Sequence, residues 1–447
     1  MASTSSATTV TSSGTTLLRL ATAGSVDDGK STLVGRLLYD SKSVLTDQLD
    51  AVERVSRAKG LGHVDLALLT DGLRAEREQG ITIDVAYRYF ATANRTFILA
   101  DCPGHVQYTR NTVTGSSTAD VLVLLVDARK GVQEQTRRHL AVGQLLRVPT
   151  IVVAVNKMDL VDFDQATFNR VSSEVRAVAS ELGVDAVHTI PVSALEGDNI
   201  VERSARTPWY EGPALLEFLE HAPAGAEFAD LPFRLPVQLS IRPQDAAPEF
   251  REYRGYAGQV ATGVVRVGDP VVVLPAGRRT TVTAIDTADG PLTEAFAPQS
   301  VTLRLADQID TTRGDLIAAA SDAPEPTQDL SGLVAWLAEK PLRVGARVLV
   351  KHGTRTVQGV VRDITGRLDL DALAPVPTDT LELNDIGRVT LRLASPVAPD
   401  DYTVSRRTGS FLLVDPQTGG TLAAGMVRAF GDFDEAAEQA ATVSWSI

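Results

Sequence analysis

An apolar run at residues 17–23 leads directly into the stretch Gly24-Ser25-Val26-Asp27-Asp28-Gly29-Lys30-Ser31. Small residues in such a turn let several backbone N–H groups converge on a polyphosphate. Lys30 would bring positive charge to the β and γ phosphates, and the Ser31 hydroxyl could hold Mg²⁺. A strand followed by this glycine-rich pattern therefore predicts an α/β domain with a nucleoside triphosphate site, whose contacts extend to Thr32.

A second loop with a role at the phosphates is predicted at Asp101-Cys102-Pro103-Gly104, which follows an apolar run at 96–100. Open α/β sheets bind ligands at the carboxyl ends of their strands, so this loop would lie beside the first one. Asp101 could then reach Mg²⁺ through a water, and the Gly104 N–H could meet the γ-phosphate. The D-x-x-G pattern alone is a common turn, and its position after a strand is what makes it informative.

The base is predicted to be guanine from Asn156-Lys157-Met158-Asp159, which follows a third apolar run at 150–155. A carboxylate at Asp159 can accept hydrogen bonds from guanine N1–H and the 2-amino group, whereas adenine offers no such pair of donors. Hydrogen bonds to a charged group contribute roughly 1.5–3 kcal/mol each, which is enough to select GTP over ATP. A backbone N–H for guanine O6 is expected from Ser193-Ala194-Leu195.

Two further residues complete the pattern of a regulatory GTPase. The sequence Gly80-Ile81-Thr82-Ile83 resembles that of the translation elongation factors, which places Thr82 at the switch position. Its hydroxyl would bind Mg²⁺ and its backbone the γ-phosphate, so that the segment is ordered with GTP and released after hydrolysis. His105, directly after the D-x-x-G loop, resembles the water-orienting histidine of translational GTPases. The predicted catalytic residues are thus Lys30, Thr82 and His105, and the predicted Mg²⁺ ligands are Ser31, Thr82 and Asp101.

Longer stretches of the chain resemble the large, GTP-binding subunit of bacterial sulfate adenylyltransferases. Elongation factors usually carry histidine before the second glycine of the phosphate loop, whereas this chain has Asp28. The resulting form of the loop is similar to that of the sulfate-activating subunit. The resemblance covers about residues 17–427 and is carried by the segments 65–90, 127–132, 192–199, 208–213, 254–258 and 309–315.

The resemblance implies an α/β P-loop GTPase domain, with a mostly parallel sheet and helices on both faces, followed by two small β-barrel domains as in elongation factors. The sequence pattern agrees with this layout. Apolar runs alternate with helical patterns at 30–38, 47–59, 133–146 and 165–182, and short β-branched runs separated by Gly and Pro follow a linker at 221–232. We expect a disordered tail at 1–16, the GTPase domain at 17–222, and barrels at 231–322 and 328–447.

The resemblance also implies a GTPase subunit of sulfate adenylyltransferase. GTP hydrolysis would drive formation of adenylylsulfate and pyrophosphate from ATP and sulfate in a small catalytic partner, within a heterodimer or an assembly of heterodimers. The sequence contains no second Walker-type loop, no H-x-G-H pair and no S-G-G-x-D-S loop. We therefore expect ATP and sulfate to be bound by the partner subunit.

Two alternative functions stay open at this point. An elongation factor-like GTPase that delivers aminoacyl-tRNA would share the fold, the switches and His105, although Asp28, the segment 65–80 and the acidic charge balance count against it. A regulatory switch with no enzymatic partner would share the same nucleotide site. Binding of charged tRNA would identify the first, and recovery of the chain alone from its native cytosol would favour the second.

Composition restricts the cellular compartment and the classes of partner that we expect for this protein. The 447 residues exceed one usual core, and the formal net charge of −13 disfavours generic nucleic-acid binding. No apolar stretch reaches the ~18 residues of a membrane span. The first sixteen residues carry no basic side chain, which argues against a signal or transit peptide. Cys102 is the single cysteine, either a redox-sensitive thiol or simply a small residue that fits its loop. We expect a cytoplasmic protein that binds neither membrane nor nucleic acid.

Overall fold

The computed structural model describes residues 16–42, 46–58, 64, 66–69, 85–104, 109–184, 186–223, 228–243, 252–369 and 374–428. Its contacts group the chain into two compact units, the first made of 1–104, 114–136 and 148–224, and the second of 105–113, 137–147 and 225–447. The domain boundaries expected from the sequence remain predictions. In the described part of the chain, no helix is long and apolar enough to span a membrane.

The first unit is built on a six-stranded sheet with the strand order β2-β3-β1-β4-β5-β6. All neighbours in it are parallel except β2 and β3, which pair antiparallel. The parallel strands end at one edge, so the loops that follow them meet there. The strands are β1 (Thr16–Gly24), β2 (Ala86–Ala91), β3 (Arg95–Asp101), β4 (Val121–Asp127), β5 (Thr150–Asn156) and β6 (Val187–Pro191).

The two central strands β4 and β5 are buried along their whole length, and both are nearly continuous in Val, Leu, Ile and Ala. Strands of a parallel sheet that is covered on both faces have this composition, because neither face meets water. The edge strand β2 alternates instead, with Tyr87 and Tyr89 exposed and Phe90 stacked on Phe97 of β3 at a ring-centroid distance of 4.5 Å. The prediction of a mostly parallel sheet is confirmed, and the antiparallel edge is an addition to it.

The predicted helices are confirmed to within two residues at each end. The pattern did not predict two shorter helices, one after the D-x-x-G loop and one at the end of the first unit. The α-helices are α1 (Lys30–Asp40), α2 (Thr46–Ala58), α3 (Thr109–Ser116), α4 (Glu134–Leu145), α5 (Gln165–Glu181) and α6 (Leu215–His221), and 3₁₀ turns occupy Leu66–Leu69 and Met158–Val161.

The second unit contains two β-modules, as the fold class predicts. The strands of the first module are β7 (Arg234–Pro236), β8 (Leu239–Ile241), β9 (Gly255–Gln259), β10 (Val264–Arg266), β11 (Pro270–Leu274), β12 (Arg278–Thr287), β13 (Gly290–Leu292), β14 (Glu294–Phe296), β15 (Ser300–Leu305) and β16 (Leu316–Ala319). They pair in the order β7-β16-β11-β12-β15-β9-β8, with β13 on β12 and a separate β10-β14 pair, around one apolar core.

The second β-module closes on itself. Its strands are β17 (Thr327–Trp336), β18 (Leu342–Arg343), β19 (Arg347–His352), β20 (Arg355–Asp369), β21 (Ala374–Val376), β22 (Thr380–Leu381), β23 (Ile386–Val397), β24 (Ser410–Val414) and β25 (Thr421–Val427). They pair in the order β19-β24-β25-β17-β23-β20-β21, and a further pairing of β19 with β20 completes a barrel. Closure leaves six of these strands without a free edge.

An ion pair between the buried Arg234 and the partly buried Asp400 joins the two β-modules. The Arg234 guanidinium donates to both oxygens of Asp400, at 3.0 Å from Nε to Oδ2 and 2.9 Å from Nη2 to Oδ1. The Thr408 hydroxyl donates to Asp400 at 2.6 Å, and the Thr408 carbonyl accepts from Nε2 of the buried His352 at 2.7 Å. Burial lowers the pKa of His352, which favours the neutral ring. The two modules are thus held by a satisfied polar network.

Candidate functional site

The phosphate loop turns sharply between β1 and α1, and two glycines make the turn possible. Gly24 has φ +150° and Gly29 has φ +94°, values that side-chain-bearing residues rarely adopt. A Cβ at Gly29 would stand 2.4 Å from Nδ2 of Asn156, and one at Gly24 would stand 2.9 Å from the carbonyl oxygen of Leu125. The backbone of the loop therefore packs directly against the ends of β4 and β5.

Lys30 lies beneath this loop and is 7% exposed. Its ammonium donates to the carbonyls of Gly24 at 2.9 Å and Ser25 at 2.8 Å. An ammonium carries three hydrogens, so one is left for an anion held by the loop. Burial lowers the pKa of Lys30, while the charges of Asp101 and Asp28 oppose that shift.

The structure brings the D-x-x-G loop against the phosphate loop, as predicted from the strand order. A Cβ at Gly104 would stand 2.3 Å from Nζ of Lys30 and 2.6 Å from the Gly24 carbonyl oxygen, so a residue larger than glycine would displace the lysine. Asp101 at the end of β3 is buried, and its Oδ1 accepts from the Thr22 hydroxyl at 2.8 Å. Lys30, Asp101 and Gly104 therefore form one cluster.

The oxygen donors present fit a hard divalent cation. Ser31 is half-buried at the start of α1, and Asp101 is a buried carboxylate that the charge of Lys30 reaches. Mg²⁺ is usually held by one or two such protein oxygens together with phosphates and waters, rather than by a cage of protein ligands. Among the described residues, no group of three or more His, Cys, Asp or Glu could hold a metal on its own. Ser31 and Asp101 thus suit a Mg²⁺ that arrives with a nucleotide.

Asn156 links three segments of the site. Its Nδ2 donates to the Asp28 carbonyl at 2.7 Å, between residues 128 positions apart, and its Oδ1 accepts from the Ala194 N–H at 2.9 Å. The side chain is 2% exposed. Both ends of this amide are therefore used to tie the phosphate loop and the Ser193-Ala194-Leu195 loop to the end of β5.

We expect Asn156→Ala to lower the free energy of unfolding of the first unit by about 2 kcal/mol, because it leaves the Asp28 carbonyl and the Ala194 N–H without partners. Urea unfolding followed by tryptophan fluorescence would measure the change. Asn169→Ala, at an exposed position of α5, is the matched control and should change the same quantity by less than about 0.5 kcal/mol. Equal effects of the two substitutions would contradict the linking role of Asn156.

A charge cluster that the sequence analysis missed supports the base-recognition loop. Asp127, at the end of β4, accepts a bidentate pair from Arg129 at 3.0 and 2.7 Å and lies 3.1 Å from Nζ of Lys157. Burial acts to raise the pKa of Asp127, but the bonds from Arg129 and Lys157 outweigh it and hold that pKa well below its usual range. The ammonium of Lys157 also donates to the Asp27 carbonyl. Only the resemblance of segment 127–132 could have drawn attention to this cluster.

The residues predicted to contact the base lie directly after β5. Lys157 has a left-handed conformation with φ 65°, which starts the 3₁₀ turn Met158–Val161. Within that turn, Met158 points into the core and Asp159 is partly exposed. A carboxylate in this position is accessible to a base.

The Ser193-Ala194-Leu195 loop uses two of its three amides within the protein. The Ser193 N–H donates to the Asp198 carbonyl at 3.2 Å, and the Ala194 N–H donates to Asn156. The Leu195 N–H has no protein partner in the described ranges, and Leu195 is 43% exposed. The Arg36 guanidinium donates to the carbonyls of Ala194 and Leu195, which fixes the loop on α1. The predicted contact of this loop with guanine O6 stays a prediction.

Thr82 and His105, the predicted switch and water-orienting residues, lie outside the described residues, so their roles stay predictions. Cys102 is fully buried, and burial raises the pKa of its thiol, which favours the interpretation of a small residue that fits its loop. The remaining predicted contacts lie in the loops described above: Val26, Asp27 and Thr32 in and after the phosphate loop, and Pro103 beside Cys102.

Two protein families and several curated proteins are similar to this chain. The family described as Elongation factor Tu GTP binding domain matches residues 15–227, and the family described as GTP-eEF1A C-terminal domain-like matches residues 330–428. The Bifunctional enzyme CysN/CysC of Mycobacterium tuberculosis is 55% identical over 92% of this chain and 67% of its own length. Sulfate adenylyltransferase subunit 1 of Aeromonas hydrophila is 50% identical over 92% of this chain and 86% of its own length.

A solved structure of sup35 complexed with GMPPNP also aligns with the chain. It is 24% identical and covers 93% of this chain and 94% of its own, with a TM-score of 0.42. So low a score supports no conclusion about the site.

Proposed function

The chain belongs to the family of sulfate adenylyltransferase subunit 1, a GTP-binding subunit of sulfate activation, and on that basis we propose that its GTP hydrolysis drives adenylylsulfate formation in a partner subunit. The partner would be a small catalytic subunit, joined to this chain in a heterodimer or in an assembly of heterodimers. Both subunits would work in the cytoplasm, where ATP and GTP are available together.

The observation that carries the proposal is the cluster of Lys30, Gly104 and Asn156. Asn156 of the base loop hydrogen-bonds to the Asp28 carbonyl of the phosphate loop, and Gly104 of the D-x-x-G loop packs so closely on Lys30 that a Cβ there would stand 2.3 Å from its Nζ. When the loops for the phosphates and the base lie side by side, loss of the γ-phosphate can change the contacts of the D-x-x-G loop, as a nucleotide-sensing role requires. This supports a GTPase-type role over a passive nucleotide store.

In the proposed hydrolysis, Lys30 and the loop amides stabilise negative charge on the γ-phosphoryl group as it transfers to water. Ser31, Thr82 and Asp101, the last through a water, would hold Mg²⁺, which would supply further neutralisation of the phosphate charge. His105 would orient the attacking water. These roles of Ser31, Thr82, Asp101 and His105 are part of the proposal.

In this proposal, the partner subunit catalyses the transfer of the adenylyl group from ATP to sulfate. There an oxygen of sulfate would attack the α-phosphorus of ATP, forming the phosphosulfate bond of adenylylsulfate while pyrophosphate leaves. This reaction is unfavourable, so it needs an external source of free energy. Loss of the γ-phosphate here would release the segments around Thr82 and Gly104, and that change would be transmitted to the partner.

The decisive experiment combines the purified chain, its small partner subunit, ATP and sulfate, with and without GTP. We expect adenylylsulfate to accumulate with GTP and much less with a non-hydrolysable GTP analogue. Alone, the chain should hydrolyse GTP at roughly 10⁻⁴–10⁻² s⁻¹, and the partner with ATP and sulfate should raise that rate. A GTPase rate that the partner leaves unchanged would contradict the coupling, and tight binding of charged tRNA would favour a delivery function instead.

A further inference from the structure

Two neighbouring carboxylates in the phosphate loop have opposite environments. Asp27 is exposed, whereas Asp28 is 2% exposed. A buried carboxylate in a loop that must accept a polyphosphate is unexpected, because both groups are negative and an ionised group is costly to bury without full pairing.

Only one of the two carboxylate oxygens of Asp28 has a hydrogen-bond partner among the described residues. Its Oδ2 accepts from the Ser25 N–H at 2.8 Å, and its own N–H donates to the Ser25 carbonyl at 3.3 Å. Its Oδ1 is buried and has no hydrogen-bond partner among the described residues. One amide of the phosphate loop is therefore committed to a carboxylate instead of to phosphate.

The charges around Asp28 come from the start of α1 and the end of β4. Lys30 and Lys130 attract the carboxylate and Asp127 repels it, while the neutral amide of Asn156 on β5 donates to the backbone carbonyl of Asp28. Burial is the largest influence and raises the pKa of Asp28, while the Ser25 N–H and the two lysines oppose that shift. The carboxylate thus competes with any bound polyphosphate for Lys30 in a site where water screens little.

We propose that the Asp28 carboxylate weakens the hold of the phosphate loop on guanine nucleotides and so speeds nucleotide release between turnovers. This inference rests on the proposed GTP site and adds a positioning residue to it. The group acts through Ser25 and Lys30, since its Oδ2 sets the direction of the Ser25 amide and its charge offsets that of the lysine.

The sign of the linked pH effect follows from the charges. A bound nucleotide adds negative charge near Asp28, which raises the pKa of that carboxyl above its value in the nucleotide-free protein. Binding is then accompanied by proton uptake at Asp28, so affinity is higher at low pH and falls as pH rises from the pKa of the free state through that of the bound state.

The test measures GDP affinity and the rate of GDP release for the wild type, Asp28→Asn and Asp28→Ala. Asparagine keeps an oxygen for the Ser25 N–H and removes the charge, so we expect about tenfold tighter binding, mostly through slower release. Alanine also removes the acceptor, so its affinity should be lower than that of the asparagine variant. If Asp28 only braced the loop, asparagine would match the wild type and alanine alone would lose affinity, and this result would overturn the inference.

Asp27→Asn is the matched comparison, since it removes one charge from an exposed carboxylate of the same loop, at a φ of 68° that asparagine tolerates. Its gain in affinity should be clearly smaller than that of Asp28→Asn, and equal gains would overturn the special role of Asp28. As pH rises through the titration of Asp28, the wild type should lose affinity relative to Asp28→Asn. The titration of the nucleotide phosphate is common to both proteins and cancels.

The outcomes separate this inference from the function on which it rests. If the wild type and all variants bind GDP alike with parallel pH profiles, only the role of Asp28 is overturned. If none of them binds a guanine nucleotide, the proposed GTP site fails and the role of Asp28 fails with it.

Discussion

Lys30→Ala is expected to weaken GTP binding by roughly 10–10²-fold and to abolish the effect of GTP on adenylylsulfate formation. The Lys30 ammonium is held in place by the Gly24 and Ser25 carbonyls, so it reaches the phosphates without further ordering. Two of its three hydrogens are used by those carbonyls, so its loss removes one charge-assisted hydrogen bond to the nucleotide, which contributes roughly 1.5–3 kcal/mol. Isothermal titration with GTP would measure the affinity.

The variant should remain folded, because Lys30 contacts loop carbonyls and not the apolar core, and a thermal melt of the nucleotide-free protein would check this. Lys351→Ala is the matched control, an exposed lysine on β19, and should leave GTP affinity within about twofold of the wild type. An affinity of Lys30→Ala within a few-fold of the wild type would show that the phosphates bind elsewhere.

Asp159→Asn is expected to move base preference from guanine to xanthine. The partly exposed carboxylate stands in the 3₁₀ turn after Lys157, and it would lose both bonds from guanine N1–H and the 2-amino group. Xanthine carries a carbonyl in place of that amino group, which can accept from the new side-chain amide. We expect GTP affinity to fall by roughly 10²–10⁴-fold while xanthosine triphosphate becomes the better ligand.

Competition between the two triphosphates for the same protein measures this preference directly. Asp162→Asn supplies the control, since Asp162 is an exposed carboxylate that ends the same turn in a left-handed conformation that asparagine also accepts. It should keep guanine selectivity. If Asp159→Asn keeps it as well, the base is read by another group.

The sequence predicted the loops of the site well, because each follows an apolar strand. Burial makes β4 and β5 continuous in apolar residues, so their ends at Asp127 and Asn156 are visible in the chain itself. The carboxyl ends of parallel strands share one edge, so adjacency of the loops followed from topology alone. The antiparallel β2 was harder to predict, since an edge strand with exposed tyrosines lacks that apolar signature.

The bonds within the site could not be predicted in the same way. Asn156 was predicted to bind the guanine nucleotide, and that stays a prediction. Its bonds to the backbone of Asp28 and Ala194 were not predicted, because no side-chain pattern encodes a bond to a distant carbonyl or N–H. The pairing of Asp127 with Arg129 and Lys157 depends on two loops meeting. The burial of Asp28 beside the exposed Asp27 depends on the orientation of the phosphate loop relative to the sheet, which the sequence does not encode in a pattern.

The Asn156 linkage has a consequence for how the first unit folds. The segments it joins follow β1, β5 and β6, so they come together only when the central part of the sheet is fully paired, after most of the unit has been synthesised. A nucleotide that contacts all of them has affinity for the completed sheet and little for partly assembled forms. By mass action, GTP at a hundred times its dissociation constant would stabilise the finished unit by about 2.7 kcal/mol, so the ligand also acts as a late folding aid.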